Sequence, residues 1–253
     1  MKLLRRDFLP DELQSLLAKA GVSGTIAVQA DQSDQETIFL LELADQYPFI
    51  KGVVGWVDLM DPQLPEKLEK YRQYPLLKGF RHILQSESPE FMLQAEFVRG
   101  LKILSDFDYT FDLLLYPSHL PAAIQLVKQV PHLRWVVDHM AKPDIKNQQL
   151  NGWKDEMVQL ASFPNVYVKI SGLVTEADWR NWTFLDIEPF ISHIVTCFGT
   201  SRVMIGSDWP VCLLAASYPE CLGVPGRFFE NYSEVERAAL FYHNAANFYR
   251  INS

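Results

Sequence analysis

With 253 residues, 48% of them hydrophobic, the chain has the length of one large domain and enough apolar side chains for a full core. Its formal net charge of −8 and the lack of a basic cluster argue against nucleic acid or an anionic membrane as a partner. No apolar run approaches a membrane span, the N-terminus does not resemble a secretory signal, and the three cysteines lack CxxC spacing. We therefore expect one domain over residues 1–253, in a reduced, cytoplasmic enzyme.

Helical and strand patterns alternate along the chain. The first helix is predicted to begin at Pro10 and to stop at Gly21, because proline favours the first helical position and glycine the position after the end. Further helices are predicted over 35–46, 65–73, 90–105, 121–129, 153–161 and 187–198, and a last one starts at Ser233, which forms a capping-box pattern with Glu236. Strands are predicted over 25–29, 50–58, 77–84, 110–116, 134–140 and 166–172 and around Met204.

This alternation predicts parallel βαβ units, either in a (β/α)-barrel or in an open doubly wound sheet. No glycine-rich GxGxxG or GxxxxGK[ST] sequence follows any strand, so a nucleotide-binding fold has no support. We favour an α/β fold of the (β/α)8 TIM-barrel type. Such a barrel needs eight strands, whereas seven are predicted, and the missing strand is expected to be the first because the chain opens into a loop and a helix.

Polar or ionisable side chains occur at the carboxyl ends of four predicted strands. They are Arg81, His82, Asp138, His139, Lys169, Ser171 and Asp208. Because strand side chains alternate, only one of each adjacent pair is expected to face the interior, whereas Lys169 and Ser171 share a face. A salt bridge or a cap would explain any one of them alone. Together, at the rim where parallel α/β folds place their chemistry, they favour a binding or catalytic site.

Other polar residues are weaker candidates. Asp112 and Tyr116 share a strand face and could reach the interior. Three histidines are expected to be solvated or to cap helices: His119, His132 and His193. His243 and Asn244, on the last helix, are expected to pack or to cap. The cysteines follow no nucleophile pattern and are expected to act as small buried apolar residues.

Four motifs follow one another at these strand ends: Lys78-Gly-Phe-Arg-His82, Val137-Asp-His-Met-Ala-Lys-Pro143, Lys169-Ile-Ser-Gly-Leu173 and Ile205-Gly-Ser-Asp-Trp-Pro-Val211. With them the chain, from Leu4 to Tyr249, resembles the amidohydrolase-2 group of the amidohydrolase superfamily. It is most similar to the sugar-lactone hydrolases of that group, of the L-fuconolactonase and L-rhamnonolactonase types. The resemblance implies a (β/α)-barrel enzyme that opens the lactone ring of a sugar acid or a related cyclic ester.

The resemblance also implies roles for individual residues. Asp208 corresponds to the aspartate of the last strand, the general base that deprotonates the attacking water. His139 corresponds to a histidine that contacts substrate, water or metal. Five further residues of these motifs are expected to contact the substrate: Arg81, His82, Lys169, Ser171 and Trp209.

The sequence departs from the family at its start. Members begin with a strand that ends in His-x-His, whereas this sequence has no His-x-His and its first histidine is His82. The strand is expected upstream of Met1, in a longer reading frame. His139 and Asp208 alone are too few for a catalytic zinc site, which usually has three protein ligands. A divalent metal such as zinc is therefore expected only with that upstream strand, and members of the group differ in their need for metal.

Three functions remain open at this point. The first is a hydrolase of a small sugar-acid lactone. The second is a metal-dependent amidohydrolase or decarboxylase on the same barrel, and the third is a non-catalytic protein that binds sugar acids. In each case the partner is a small molecule, and the chain is expected to be a monomer or a homodimer.

Overall fold

Seven parallel β-strands form one curled sheet in the computed structural model, which describes residues 2–251. The strands are β1 (Thr25–Val28), β2 (Ile50–Gly55), β3 (Leu77–Ile83), β4 (Thr110–Leu114), β5 (Arg134–Val137), β6 (Val166–Ile170) and β7 (Val203–Ile205). They lie in chain order, so that within the described residues β1 and β7 are the two edges of the sheet. The seven predicted strands are confirmed, and the α/β fold is that of a half-barrel consistent with the TIM type.

Eleven α-helical segments are found in the described residues. They are α1 (Pro10–Ala20), α2 (Asp34–Gln46), α3 (Leu64–Tyr71), α4 (Ala95–Asp106), α5 (Leu120–Gln129), α6 (Trp153–Ala161), α7 (Leu173–Glu176), α8 (Phe184–Phe198), α9 (Tyr218–Phe228), α10 (Glu234–Ala238) and α11 (Asn244–Phe248). The helix predicted over 90–105 is in fact a 3-10 turn, Pro89–Leu93, followed by α4. None of these helices is long and apolar enough for a membrane span.

Helix α9 is the longest element that the sequence pattern does not predict. Pro219 occupies its first turn and Pro225 lies inside it, so that its apolar periodicity is interrupted. The helix forms nevertheless because Ser217 and Glu220 make a capping box, in which the Ser217 amide donates to Glu220 Oε2 over 2.7 Å. The predicted capping box of Ser233 is confirmed at the start of α10.

The main hydrophobic core lies between the helices and the outer face of the sheet. Phe80, Phe111 and Trp135, from the neighbouring strands β3, β4 and β5, are each 1% exposed or less. The rings of Phe111 and Trp135 meet edge to face with centroids 5.8 Å apart, which is a favoured aromatic geometry. Burial of each such ring stabilises the fold by about 2–3 kcal/mol. This layer leaves the alternate residues of each strand to face the inside of the curl.

The inner face of the sheet carries a second, smaller core. Val54, Val136 and Met204 pack there against Phe248 and Tyr249, which the C-terminal helix α11 brings inside the curl. The main-chain oxygen of Phe248 also accepts a hydrogen bond from Arg134 at the start of β5. The C-terminal segment thus forms an apolar floor below the polar residues at the carboxyl ends of the strands.

Candidate active site

Four ionised side chains form a connected cluster on the inner face. Lys169 of β6 places its Nζ 2.5 Å from Asp112 Oδ2 and 2.8 Å from Asp138 Oδ1. The other oxygen of Asp138 accepts from Arg81 Nη1 over 2.9 Å. The strand register brings these groups together, because Arg81 lies directly beside Asp112 in the β3–β4 pair. Two cations and two carboxylates therefore balance each other in the interior.

Burial and pairing act in opposite directions on these groups. Burial raises the pKa of Asp112 to about 6, with a further rise from the charge of Asp138, although Lys169 lowers it. Burial also disfavours the charge of Asp138. The positive charges of Lys169 and Arg81 outweigh this effect of burial and hold the pKa of Asp138 below the usual range. In the same way, the two carboxylates outweigh the burial of Lys169 and hold its pKa well above the usual value. Lys169 is thus an ammonium at neutral pH.

Two further residues complete the cluster, and the sequence pattern does not indicate either of them. Gln29, just after β1, accepts from Arg81 through both its side chain (Nε to Oε1, 3.1 Å) and its main-chain oxygen. Tyr249 donates its hydroxyl to Asp112 Oδ2 over 2.9 Å. A glutamine in a strand and a tyrosine near the C-terminus carry no motif, so only the folded chain reveals these contacts.

His139 and Asp208 face each other beside this cluster. His139 Nε2 lies 3.6 Å from Asp208 Oδ1, and His139 Nδ1 lies 2.8 Å from Ser171 Oγ. Burial lowers the pKa of His139, against the opposing effects of Asp208 and Asp138, so that the ring is neutral at pH 7. Both side chains are nearly buried, with 11% and 13% of their surfaces exposed. A neutral imidazole and a carboxylate thus share one small polar space.

An unusual backbone brings Asp138 and His139 to the same side. The expectation that only one of them faces the interior is wrong. Strand β5 ends at Val137, and residues 139–142 all have positive φ angles, so the strict alternation of side chains stops there. Asp208 also has a positive φ of 57° just beyond β7. Four consecutive left-handed residues are uncommon outside glycine, and such strain collects at functional sites.

His82 and Trp209 lie away from the charged cluster. His82 points to the helix layer, where its ring stacks on Phe91 with centroids 5.3 Å apart and meets Phe97 edge to face. Trp209 packs edge to face on Phe8 at 5.5 Å, between the loop after β7 and the N-terminal segment. The predicted substrate contact through His82 would therefore require a substrate that reaches beyond the inner face.

The histidines outside the site lie in different surroundings. His119 was expected to be solvated or capping, which is wrong: it is 4% exposed, and its Nε2 lies 3.1 Å from the main-chain oxygen of Glu87. His132 and His243 are exposed, and His193 is half-buried against α6. Asn244 packs as expected, donating to the main-chain oxygens of Thr200 and Val203 at the start of β7.

Several buried polar atoms in this region have no hydrogen-bond partner. In residues 2–251 there are six such side-chain atoms: Trp56 Nε1, His82 Nε2, Asp112 Oδ1, Asp138 Oδ1, Asp208 Oδ2 and Trp209 Nε1. All of them belong to residues that lie in a strand or within four residues after its end, although Asp138 Oδ1 is ion-paired with Lys169. Buried polar groups in native proteins are nearly always paired, with protein, water or ligand. His82 and Trp209 lie away from the charged cluster, but the free oxygens of Asp112 and Asp208 belong to the candidate site, where a polar ligand would satisfy them.

The comparisons with known proteins agree with this geometry. The family model described as amidohydrolase matches residues 2–251. The chain belongs to this amidohydrolase family. It is 41% identical to an L-fucono-1,5-lactonase of Burkholderia multivorans over 99% of this chain and 88% of that protein. It is 36% identical to an L-fucono-1,5-lactonase of Burkholderia ambifaria over 98% of this chain and 87% of that one.

A solved structure resembles the fold of this amidohydrolase over its whole length. A Burkholderia multivorans amidohydrolase, crystallised with bound zinc, superposes with a TM-score of 0.96 at 40% identity. The match covers 100% of this chain and 92% of the other. The resemblance inferred from the four motifs is therefore confirmed at the level of the family.

The zinc of that relative raises the question of a metal site in this amidohydrolase. His139 Nε2 and the unpartnered Asp208 Oδ2 are suitable donors, but the described residues contain no group of three or more His, Cys, Asp or Glu side chains that could hold an ion. Asp112 and Asp138 are engaged in ion pairs with Lys169 and Arg81, and within residues 2–251 no histidine or cysteine joins them in a group of three or more possible ligands. Two ligands are fewer than the three that catalytic zinc sites usually have. The residues of this chain thus do not by themselves fit a tight zinc site.

Proposed function

We propose that this amidohydrolase hydrolyses the lactone of a six-carbon sugar acid, with L-fucono-1,5-lactone as the first substrate to test. The observation that carries the proposal is the pair formed by Asp208 and neutral His139, with Asp208 Oδ2 buried and unpartnered. Because Oδ2 of Asp208 has no hydrogen-bond partner within residues 2–251, it is available for a water proton. The names of the two relatives, both L-fucono-1,5-lactonases, supply the substrate class.

In the proposed reaction Asp208 acts as the general base. It takes one proton from a water molecule as the water oxygen forms a bond to the carbonyl carbon of the lactone. The carbonyl oxygen gains the negative charge of the tetrahedral intermediate. When the intermediate collapses, the bond between the carbonyl carbon and the ring oxygen breaks, and the proton held by Asp208 passes to that oxygen. The product is an open-chain hydroxy acid, which ionises and releases one proton.

His139 is proposed to stabilise the developing charge. When the Ser171 hydroxyl donates to His139 Nδ1, the imidazole carries its own proton on Nε2, the nitrogen that faces Asp208. That N–H can then donate to the oxygen of the tetrahedral intermediate, as donors placed where charge develops stabilise a transition state. The low pKa of His139 suits this role, because a neutral ring is a donor that does not neutralise Asp208 in the ground state.

Lys169 and Arg81 are proposed to support substrate binding without contacting the substrate themselves. Their charges are taken up by Asp112 and Asp138. They therefore act chiefly by keeping Asp138 and the adjacent His139 in place. A zinc ion would need at least one ligand besides His139 and Asp208.

The experiment is a proton-release assay on a panel of five- and six-membered sugar-acid lactones, with and without chelator. Asp208→Asn keeps the size of the side chain but removes the base, and we expect kcat to fall by about 1,000-fold, within the usual range for a general base. The control is Asp144→Asn, since Asp144 lies outside the inner face, in the loop after β5. Full activity of Asp208→Asn would refute the mechanism, and no turnover of any lactone would refute the function.

A further inference from the structure

The alternation of strand β2 directs the side chain of Trp56, the residue just after that strand, towards the inner face, on the side of the candidate active site. Two steps earlier on β2, Val54 belongs to the inner core, whereas a Cβ on Gly55 would meet the side chain of Thr37 of α2 on the outer side, 2.6 Å away. Since successive residues alternate, Trp56 faces inward like Val54. The register pairs Gly55 with Phe80, so one step further Trp56 lies level with Arg81.

Thr37 also fixes the main chain of Trp56. The Trp56 amide donates to Thr37 Oγ1 over 2.8 Å, and the Thr37 hydroxyl donates back to the Trp56 main-chain oxygen over 2.9 Å. Thr37 itself is fully buried. The indole is therefore held at the end of β2 by its own backbone, which is the kind of rigid support that a binding residue needs.

The indole N–H of Trp56 has no acceptor. Its Nε1 is one of the six buried unpartnered atoms, together with those of Trp209 and Asp208. By contrast, the indole nitrogens of Trp135, Trp153, Trp179 and Trp182 all donate to main-chain oxygens. Trp56 and Trp209 are thus the two tryptophans whose buried donors lack a partner within residues 2–251, and of these two it is Trp56 that follows a strand of the inner face directly. A buried donor without a partner is costly, so the Trp56 indole calls for an acceptor from outside the protein.

From this placement we propose that Trp56 is a substrate-binding residue, whose indole N–H donates to a hydroxyl oxygen of the bound sugar lactone. The inference rests on the proposed function and adds a specificity determinant that no motif indicates. A sugar hydroxyl is a fitting acceptor because it is neutral and matches a neutral donor. A carboxylate at this position would find no free cation, because Arg81, which lies level with Trp56, is already paired with Asp138.

The test compares Trp56→Phe with the unchanged protein on L-fucono-1,5-lactone. Phenylalanine keeps an aromatic ring but removes the donor, so we expect KM to rise about three- to tenfold with little change in kcat, as for the loss of one neutral hydrogen bond. The matched control is Trp135→Phe, which removes an indole donor from the outer core and should lower stability without changing KM.

Lactones that each lack one hydroxyl identify the acceptor. For one of them the KM ratio between Trp56→Phe and the unchanged protein should return to about one, because the bond is already missing. An equal ratio for every analogue, or an unchanged KM on the parent lactone, would overturn the proposal while leaving the lactonase function intact. If no lactone is turned over, calorimetric binding of L-fuconate still tests Trp56: weaker binding to the variant supports it, and equal or absent binding overturns it.

Discussion

At the scale of single residues, the site depends on how a few side chains constrain one another. Ser171 and Asp208 reach His139 from two different strands, and each contacts a different nitrogen of its ring. The hydrogen bond between Ser171 and His139 Nδ1 can therefore determine which nitrogen of the ring carries the proton, as a hydrogen bond to one ring nitrogen often does. We therefore expect Ser171 to position the ring of His139, while the substrate contact predicted for Ser171 from the sequence stays a prediction.

Replacing Ser171 by alanine tests that role. Ser171→Ala leaves His139 Nδ1 without its neighbour and lets the proton move to that nitrogen, so we expect kcat on the lactone to fall about tenfold, the worth of roughly one buried hydrogen bond. KM should change little if Ser171 does not touch the substrate. Steady-state kinetics separates the two constants. A variant with an unchanged kcat and a raised KM would return Ser171 to the group of direct substrate contacts.

At the scale of elements, the loops after β5 and β6 hold the site together. The loop after β5 runs through four left-handed residues, 139–142, and ends in Lys142, which pairs with Glu176 of α7 over 2.9 Å. The loop after β6 passes under the ring of His139 at Gly172, whose φ is 62°. The two loops therefore support each other through one ion pair and one close backbone approach.

Gly172 gives a test at this scale. A Cβ at Gly172 would lie 2.9 Å from Cγ and Nδ1 of His139, so Gly172→Ala must displace the ring. The matched control is Gly21→Ala after α1, because Gly21 has the same left-handed conformation (φ 68°) but a Cβ there would meet nothing within 4 Å. Both variants should lose about 1–2 kcal/mol of stability through the left-handed conformation, measured by chemical denaturation. Only Gly172→Ala should also lose most of its kcat, and equal activity of the two variants would contradict the arrangement.

At the scale of the whole molecule, buried ionisable groups couple stability to pH. Burial lowers the pKa of His82 and of His139, so the folded protein takes up these protons at a lower pH than the unfolded chain does. Below a pH of about 6.5 the unfolded chain binds more protons, and the free energy of unfolding falls as the pH falls. Asp112 has the opposite effect on stability: because its pKa is raised to about 6, the folded protein binds this proton more readily than the unfolded chain does, and the free energy of unfolding rises as the pH falls below about 6.

Urea denaturation at pH 8 and pH 6 measures this dependence. We expect a lower midpoint at pH 6, because in this interval His82 and His139 lower the stability while Asp112 has only begun to offset them. Burial lowers the pKa of the half-buried His193 as well, so it acts in the same direction. His82→Gln should reduce the difference between the two midpoints. His132→Gln, at an exposed position, should leave it unchanged. A midpoint that is equal or higher at pH 6 would show that the buried histidines do not control the stability.

The sequence by itself determined the order of the secondary structure and the position of the polar rim. Apolar runs and helical periodicity are local properties, so all seven strands could be predicted, and with them the strand ends that carry Arg81, Lys169 and Asp208. The motifs at these strand ends also indicated the family. Helix α9 could not be predicted because its prolines contradict the local pattern while its cap and its packing favour a helix.

Only the tertiary structure decided which of these residues meet. The contact of Tyr249 with Asp112 joins positions 137 residues apart, and that of Gln29 with Arg81 joins positions 52 apart. The orientation of Asp138 and His139 depends on left-handed backbone beyond the strand, which alternation does not describe. The lack of an acceptor for the indole N–H of Trp56 depends on the positions of all the groups packed around it. Pairing and burial are properties of the packed chain, and for this reason the chemistry of the site could be read only from the fold.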